Sequence, residues 1–324
     1  MVIDPLRACG YTPTMLADQA RPHPGLQSLM LDEAWAWSLL RALARRASEG
    51  RAVRERTGVC CDAYGRLEEL SFERAQIVLE PNSEPSFQCP QRLTASVRQL
   101  LDLYLPLCVG EGSERLVLGH VGQSLDGQIA TSAGASRYVT GPENIVHMHR
   151  LRSLMDAVVV GAGTVELDDP ELTTRLVPGD HPTRVVIDPT LRVPHARRLY
   201  RDGLAPTLIA CERDRSHTQG PPRIPLLQLG REDERLSLPE LLSALAARGL
   251  GRIFVEGGGV TISHFVHARC MDRLHVTVCP ILIGRGRPGI SLPGVERLDQ
   301  ALRPATRRFA LGEDVLFDCR LSNR

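Results

Sequence analysis

From residue 115 onward the chain repeats one device: a short apolar, β-branched run that stops at a glycine, a cysteine or an acid, then a stretch long enough for a helix. Asp156–Gly161 reads DAVVVG, Thr183–Asp188 TRVVID, Pro206–Cys211 PTLIAC and Arg252–Glu256 RIFVE. Such runs, without strict alternation, suit strands covered on both faces. Helical stretches separate them: Pro142–Met155, with Pro142 at a first-turn position, Pro239–Arg248 and Gly258–Ala268. Strands alternating with helices make an α/β sheet. Arg115–Val121 and Leu274–Ile283 add a short and a long strand. The tail, RRFALGEDVLFDCRL over Arg307–Leu321, reads as two strands about a Gly-Glu-Asp turn, so the sheet is mixed rather than wholly parallel.

The pattern changes near residue 112. Before it, residues 26–48 read as an amphipathic helix holding both tryptophans, Trp35 and Trp37. Residues 75–80 suit a strand, 81–90 hold three prolines and suit a loop, and 91–107 suit a second helix. Residues 109–114, VGEGSE, supply a linker. With 324 residues the length suits about two domains.

Composition removes several classes. The chain is 43% hydrophobic, enough to bury a core. Lys+Arg is 39 against Asp+Glu 38, so no positive charge excess marks a nucleic-acid binder. No apolar run reaches the length of a membrane span, and the first residues lack the pattern of a secretory leader. The nine cysteines are scattered, without a C-x-x-C pair, and suit reduced thiols in a cytoplasmic protein.

Four segments carry candidate chemistry. VGQSLDGQIAT (121–131) contains a turn at Ser124, Asp126 and Gly127, which an ordinary hairpin would also explain. VVVGAGTVELDDPELTTR (158–175) runs from a strand into Gly161 and Gly163, where backbone N–H groups could approach a phosphate, and then into Asp168, Asp169 and Arg175. The spacing is not that of a dinucleotide-binding Rossmann fingerprint. RIFVEGGGV (252–260) aims Glu256 at the end of a strand, followed by Gly257, Gly258 and Gly259 before a helix. HVTVCPILIGRGRP (275–288) ends a strand at Cys279-Pro280; Cys279 suits packing, since no partner stands at an activating spacing.

Taken in order, SLDG, SRYVT (136–140), GAGTVELDDPELTTR (161–175), VEGGG and PILIG resemble the pyrimidine reductases of riboflavin biosynthesis, over roughly residues 115–321. These are the 5-amino-6-(5-phosphoribosylamino)uracil reductases, which also form the C-terminal part of a bifunctional deaminase-reductase. The resemblance implies a dihydrofolate-reductase-like mixed sheet flanked by helices, here preceded by a smaller, mainly helical N-terminal region. It divides the chain into residues 1–112, of unassigned role, and a reductase domain over 113–324. It also implies NADPH as cofactor, a cytoplasmic homodimer paired through its sheets, with a strand such as Leu274–Ile283 in that role, and no nucleic-acid or membrane partner.

The same resemblance assigns sites residue by residue. Ser136, Arg152 and Arg175 would hold the substrate's 5′-phosphate, a task suited to guanidinium forks, and Leu172 would line the substrate. Glu256 would contact the substrate and, with Asp168, stabilise the reacting centre. The dinucleotide would lie across Gly122, Tyr138, Gly161, Gly163, Thr164, Asp168, Gly257, Gly258, Gly259, Val260 and Thr261. His120 stands where the resemblance implies lysine and is the expected proton donor near neutral pH. Residues 1–112 hold one histidine, His23, and neither H-x-E nor P-C-x-x-C, so no zinc and no deaminase are expected. Two other readings stand beside this one: an NADPH reductase of a related pterin or pyrimidine in secondary metabolism, and a non-catalytic nucleotide-binding protein.

Overall fold

The β-branched runs pair into one nine-stranded sheet. The computed structural model describes residues 31–62, 64–81, 83–110, 112–136, 139–215 and 224–321. The N-terminal part contains α1 (Glu33–Ser48), β1 (Thr57–Cys61), β2 (Leu67–Leu70), β3 (Ile77–Leu79), β4 (Phe87–Gln88) and α2 (Ala95–Tyr104). Next come β5 (Leu116–Ser124), β6 (Gln128–Thr131), α3 (Pro142–Leu154), β7 (Ala157–Gly161), α4 (Ala162–Asp168) and β8 (Thr183–Ile187). They are followed by α5 (Arg198–Arg201), β9 (Thr207–Glu212), β10 (Leu226–Leu229), β11 (Arg231–Glu232), β12 (Arg235–Leu236) and α6 (Leu238–Ala246). The last are β13 (Arg252–Glu256), α7 (Gly259–His267), β14 (Arg273–Cys279), β15 (Gly286–Pro288), β16 (Ala305–Leu311) and β17 (Asp314–Arg320).

The sheet order is β10-β9-β8-β7-β13-β5-β14-β17-β16. Pairing is parallel from β10 to β14, and β17 and β16 close it antiparallel. This is the mixed sheet the sequence implies. β13 inserts late in the chain between β7 and β5. The chain direction across the sheet therefore reverses there, and in open α/β sheets ligands bind at the strands' C-terminal ends beside such a reversal. The strand expected over Leu274–Ile283 stops at Cys279, ahead of Pro280, and both its edges are hydrogen-bonded to β5 and β17. It therefore offers no free edge along which a second copy could add a strand.

Side chains alternate between two cores. Val117, Val159, Ile253 and Val255 pack with α6 and α7 on one face. Leu116, Leu118, Val158, Val160 and Phe254 pack on the other with α1, α2 and α3. Beside its two helices the N-terminal part also folds a four-stranded antiparallel sheet, β2-β1-β3-β4, which the irregular pattern before residue 112 does not announce. Asp32 caps α1 by accepting the Trp35 N–H at 2.8 Å, and the helix buries Trp35, Leu39, Leu40 and Leu43. Residues from Leu31 onward form one compact unit whose core crosses residue 112. Arg252, 0% exposed, spans the same line. Its guanidinium donates to the carbonyls of Leu107 at 2.9 Å, of Ser113, and of Leu154 at 3.0 and 3.1 Å.

The second face also carries a row of polar residues set by register. Glu256 lies opposite His120, His120 opposite His275, His275 opposite Asp318, and Asp318 opposite Arg307. Asp318 is bound by Arg273 Nε at 2.6 Å and Arg307 Nη2 at 2.7 Å, and lies 3.4 Å from His275 Nε2. His275 Nδ1 is 3.1 Å from His147 Nε2, and His147 Nδ1 is 2.6 Å from the Tyr104 hydroxyl. A carboxylate faces an N–H, so His275 carries its proton on Nε2. Its Nδ1 then accepts from His147 Nε2–H, and His147 Nδ1 accepts from Tyr104. Burial, aided by neighbouring cations and rings, pushes both imidazoles below their ordinary pKa and keeps them neutral.

Two outcomes are expected. Arg252→Met strands three buried carbonyls and should destabilise the fold by about 3 kcal/mol or more, read by urea unfolding. Arg54→Met, on the exposed Arg54–Glu114 pair, should cost under about 1 kcal/mol; equal costs would contradict the Arg252 role. The second concerns acid. Unfolded His147 and His275 take up protons that the folded rings refuse, so stability falls as pH drops below the ordinary value of 6.5. Each ring contributes up to about 1.4 kcal/mol per pH unit. Unfolding midpoints between about pH 7.5 and 5.5 should show the drop, and His147→Gln should reduce its slope; an unchanged slope contradicts the assignment.

Candidate active site

The chemistry-bearing side chains gather where β7, β13 and β5 end side by side. Glu256 is the last residue of β13, whose preceding residues are buried on both faces, so the strand fixes where the carboxylate emerges. Arg152 lies in the last turn of α3. Its Nε donates to Glu256 Oε2 at 2.7 Å and its Nη2 to Oε1, a bidentate pair. Nη1 donates to the Thr173 carbonyl at 3.0 Å. The sequence gives Arg152 and Glu256 separate tasks; the structure makes them one buried ion pair. Arg175, half-exposed, reaches the same threonine: its Nη1 donates to Thr173 Oγ1 at 3.1 Å and to Glu171 Oε2 at 2.6 Å.

The loop carrying Arg175 is held from several directions. Asp169 and Leu172 adopt left-handed backbone angles, φ 42° and 55°. Such a conformation disfavours a bulky residue, and the buried Leu172 side chain and surrounding bonds must over-determine it. His149 Nδ1 accepts the Arg175 N–H at 2.9 Å, and His181 Nδ1 accepts the Thr174 N–H at 3.2 Å. Asp169 accepts the Arg198 N–H at 2.9 Å. Burial, with Arg152 and Arg175 nearby, pushes His149 down to about 3, which suits a ring that must accept. Asp168 ends α4 on an exposed turn. Ser136 is half-buried, and among the described residues no hydrogen bond joins it to either arginine. Tyr138 lies outside the described residues.

His120, on β5, is 4% exposed. Its Nε2 is 2.9 Å from Asn144 Oδ1 and 3.1 Å from Thr277 Oγ1. Burial first, then His275 and Arg152, pushes its pKa down to about 3. The expectation of a proton donor near neutral pH is corrected: this imidazole is neutral there.

The glycines divide by what surrounds them. A Cβ on Gly259 would sit 2.3 Å from the Pro288 carbonyl oxygen, and one on Gly161 2.6 Å from Thr261 Oγ1. Close packing demands these two. A Cβ on Gly163 would meet nothing, which leaves its backbone open to a ligand. Thr164 Oγ1 accepts the Gly258 N–H at 3.3 Å and ties the β7 end to the β13 end. Gly258 caps α7 without a side-chain bond, and Val260 in the first turn is 74% exposed. With the Gly258 and Thr261 N–H groups engaged, those of Gly259 and Val260 keep capacity for an anion such as a dinucleotide's pyrophosphate. Gly122 lets Thr140 approach β5, since a Cβ there would lie 2.4 Å from Thr140 Cγ2.

The remaining segments are structural. Asp126, in the β5–β6 turn, accepts the Ile283 and Gly284 N–H groups at 3.1 and 2.6 Å and ties the loop after β14 to that turn. The Cys279 thiol bonds the Gln123 carbonyl at 3.1 Å, and burial with Asp314 pushes it up to about 12, which suits packing. Among the described residues no group of three or more His, Cys, Asp or Glu is placed to hold a metal. No described helix is long and apolar enough to cross a membrane. Sequence reasoning missed Thr173, Asn144, Thr277, His147 and His275. The available signal was in α3, where Asn144, His147, His149 and Arg152 are polar yet buried.

A model of the RibD C-terminal domain matches residues 115–317. The 2,5-diamino-6-ribosylamino-4(3H)-pyrimidinone 5′-phosphate reductase of Methanothermobacter thermautotrophicus is 34% identical over 214 residues, 62% of this chain and 96% of that protein. The riboflavin biosynthesis protein RibD of Bacillus amyloliquefaciens is 38% identical over 169 residues, 50% of this chain and 44% of that protein. The chain thus spans less than half of that RibD relative. Among solved structures, Acinetobacter baumannii RibD (form 1) superposes with TM-score 0.60 at 18% identity, covering 90% of this chain and 99% of that one. A Thermotoga maritima deaminase/reductase gives TM-score 0.55 at 23% identity, covering 70% and 62%. These two likenesses speak to the fold. The family match takes in β5, β7 and β13, whose ends shape the site, and more than half of the sequence, and the chain belongs to the RibD C-terminal domain family.

Proposed function

We propose that the chain is an NADPH-dependent reductase of riboflavin biosynthesis that converts the ribosylamino group of 5-amino-6-(5-phosphoribosylamino)uracil to a ribitylamino group. The observation that carries this reading is the convergence of Arg152 and Arg175 on Thr173, with Glu256 paired to Arg152, next to strand ends bounded by glycine. Arg175, with half its side chain exposed, takes the phosphate, and Ser136 completes the anchor. Arg152 holds Glu256 in place for the sugar. Gly163, Thr164 and the first turn of α7 would hold the dinucleotide, whose nicotinamide would supply the hydride.

The reaction needs the sugar ring to open. The C1′–O bond breaks, the ring oxygen takes a proton from solvent, and the nitrogen lone pair forms C1′=N. Reduction at C1′ then gives the ribityl chain. The Glu256 carboxylate, fixed by two hydrogen bonds, stabilises the positive charge that develops at the imine. Asp168 is the second carboxylate in this role. Residues 31–110 act as a layer on the sheet and not as a deaminase.

The substrate's base is tested directly. Because one relative is named for a diaminopyrimidinone, NADPH oxidation should be followed with both the uracil and the diaminopyrimidinone forms. Turnover of neither would defeat the reading in favour of a pterin reductase or a nucleotide-binding protein. Arg175→Ala should raise the substrate KM about 10- to 100-fold with NADPH affinity nearly unchanged, and Arg175→Lys should rescue only partly. Weakened NADPH with an unchanged substrate KM would assign Arg175 to the cofactor instead.

A further inference from the structure

Every hydrogen-bonding group around His120 Nε2 can be assigned a direction. Asn144 Nδ2 donates to Thr140 Oγ1 at 3.0 Å, with Oδ1 turned toward His120. That Oδ1 accepts the Thr277 hydroxyl at 2.8 Å. An amide oxygen cannot donate, and the Thr277 proton is already used, so His120 Nε2 must carry a proton shared between the two. The ring is faced from α3 by Asn144, His147 and Arg152, from β13 by Glu256 and from β14 by His275 and Thr277. Tyr104, His147, His275 and Asp318 form a separate line with its own direction, and none of the hydrogen bonds along it reaches His120.

We propose that Asn144 and Thr277 are positioning residues that lock His120 as the neutral imidazole protonated on Nε2, so that its Nδ1 serves as a fixed hydrogen-bond acceptor beside Glu256 in the site. The acceptor's use on the sugar hydroxyls rests on the reductase reading; the locked tautomer does not. An imidazolium would need a new partner for a second N–H, next to Arg152 and among buried rings. A neutral acceptor needs none.

The test uses the full chain labelled with ¹⁵N-histidine. Long-range proton–nitrogen NMR separates the neutral tautomers from the imidazolium, and His120→Gln identifies the His120 signals. The expected result is an Nε2–H, Nδ1-acceptor pattern that does not change between about pH 5.5 and 8.5. An Nδ1–H tautomer, or a ring titrating in that range, overturns the proposal. Asn144→Asp puts a carboxylate on the Nε2–H and should raise the ring's proton affinity. Its kcat should fall about 10-fold with KM little changed, and an ionisation absent from the wild-type kcat–pH profile should appear. Thr277→Val, which keeps shape and loses one partner, should lower kcat less and leave the profile flat. An Asn144→Asp profile identical to the wild type counts against the positioning role. If the wild-type protein shows the locked tautomer but reduces no pyrimidine, the reductase reading fails alone.

Discussion

Asp318 is a carboxylate 2% exposed in the middle of a sheet face, and much of the structure is arranged to satisfy it. A lone ion there would be prohibitively costly. Arg273 and Arg307 approach it along and across the strands, and His275 turns its N–H toward it. Burial alone would raise the carboxyl's pKa. The nearby His275 ring and the bonds from Arg273 and Arg307 outweigh it and hold the group ionised, well below the usual carboxylate range. Once Asp318 is a carboxylate, the tautomer of His275 is decided, and with it those of His147 and the Tyr104 hydroxyl. One charge therefore orders a line that crosses from β17 to α2.

That line explains why the N-terminal layer is not separable from the sheet. Tyr104 belongs to α2, before residue 112, and its hydroxyl satisfies a histidine on α3. Arg252 collects carbonyls from both sides of the same position. Trp37 of α1 donates its indole N–H to the Pro178 carbonyl at 2.8 Å, beyond the loop that carries Arg175. Three polar contacts, each made by a buried or nearly buried side chain, join the layer to the elements that shape the candidate site. The face would be apolar and simple without the polar row; with it, α2 and α3 must both be present for the hydrogen bonds to close.

The sequence made the frame legible, because strand and helix periodicity is local. DAVVVG, TRVVID and RIFVE became β7, β8 and β13 within a residue or two, and α3, α6 and α7 fall where their patterns put them. Leu274–Ile283 was read too long because Pro280 ends the ladder. The four-stranded N-terminal sheet escaped because its strands are two to five residues long and irregularly spaced. In the site, the motifs mark single candidate residues but carry no sign of how they pair. Nothing local joins Arg152 to Glu256 across a separation of 104 residues, or makes His120 neutral. Those facts depend on register: Glu256, His120 and His275 are neighbours only because β13, β5 and β14 pair as they do.

The same register bears on how the site treats charge. Arg152 enters as a guanidinium whose Nε, Nη1 and Nη2 are already engaged, so its charge is balanced before any phosphate arrives. A dianion competing for it would have to displace Glu256 and leave a half-buried carboxylate behind, which is unfavourable in a partly desolvated crevice. Arg175 is different. Its partner Glu171 also serves Arg198, so loss of one contact leaves the carboxylate paired. The arrangement therefore divides the two arginines: one fixes a carboxylate rigidly, and the other shares a carboxylate that keeps a second partner. Their shared contact with Thr173 keeps both in one place while their roles differ, and the left-handed turn at Leu172 is what presents that threonine to both.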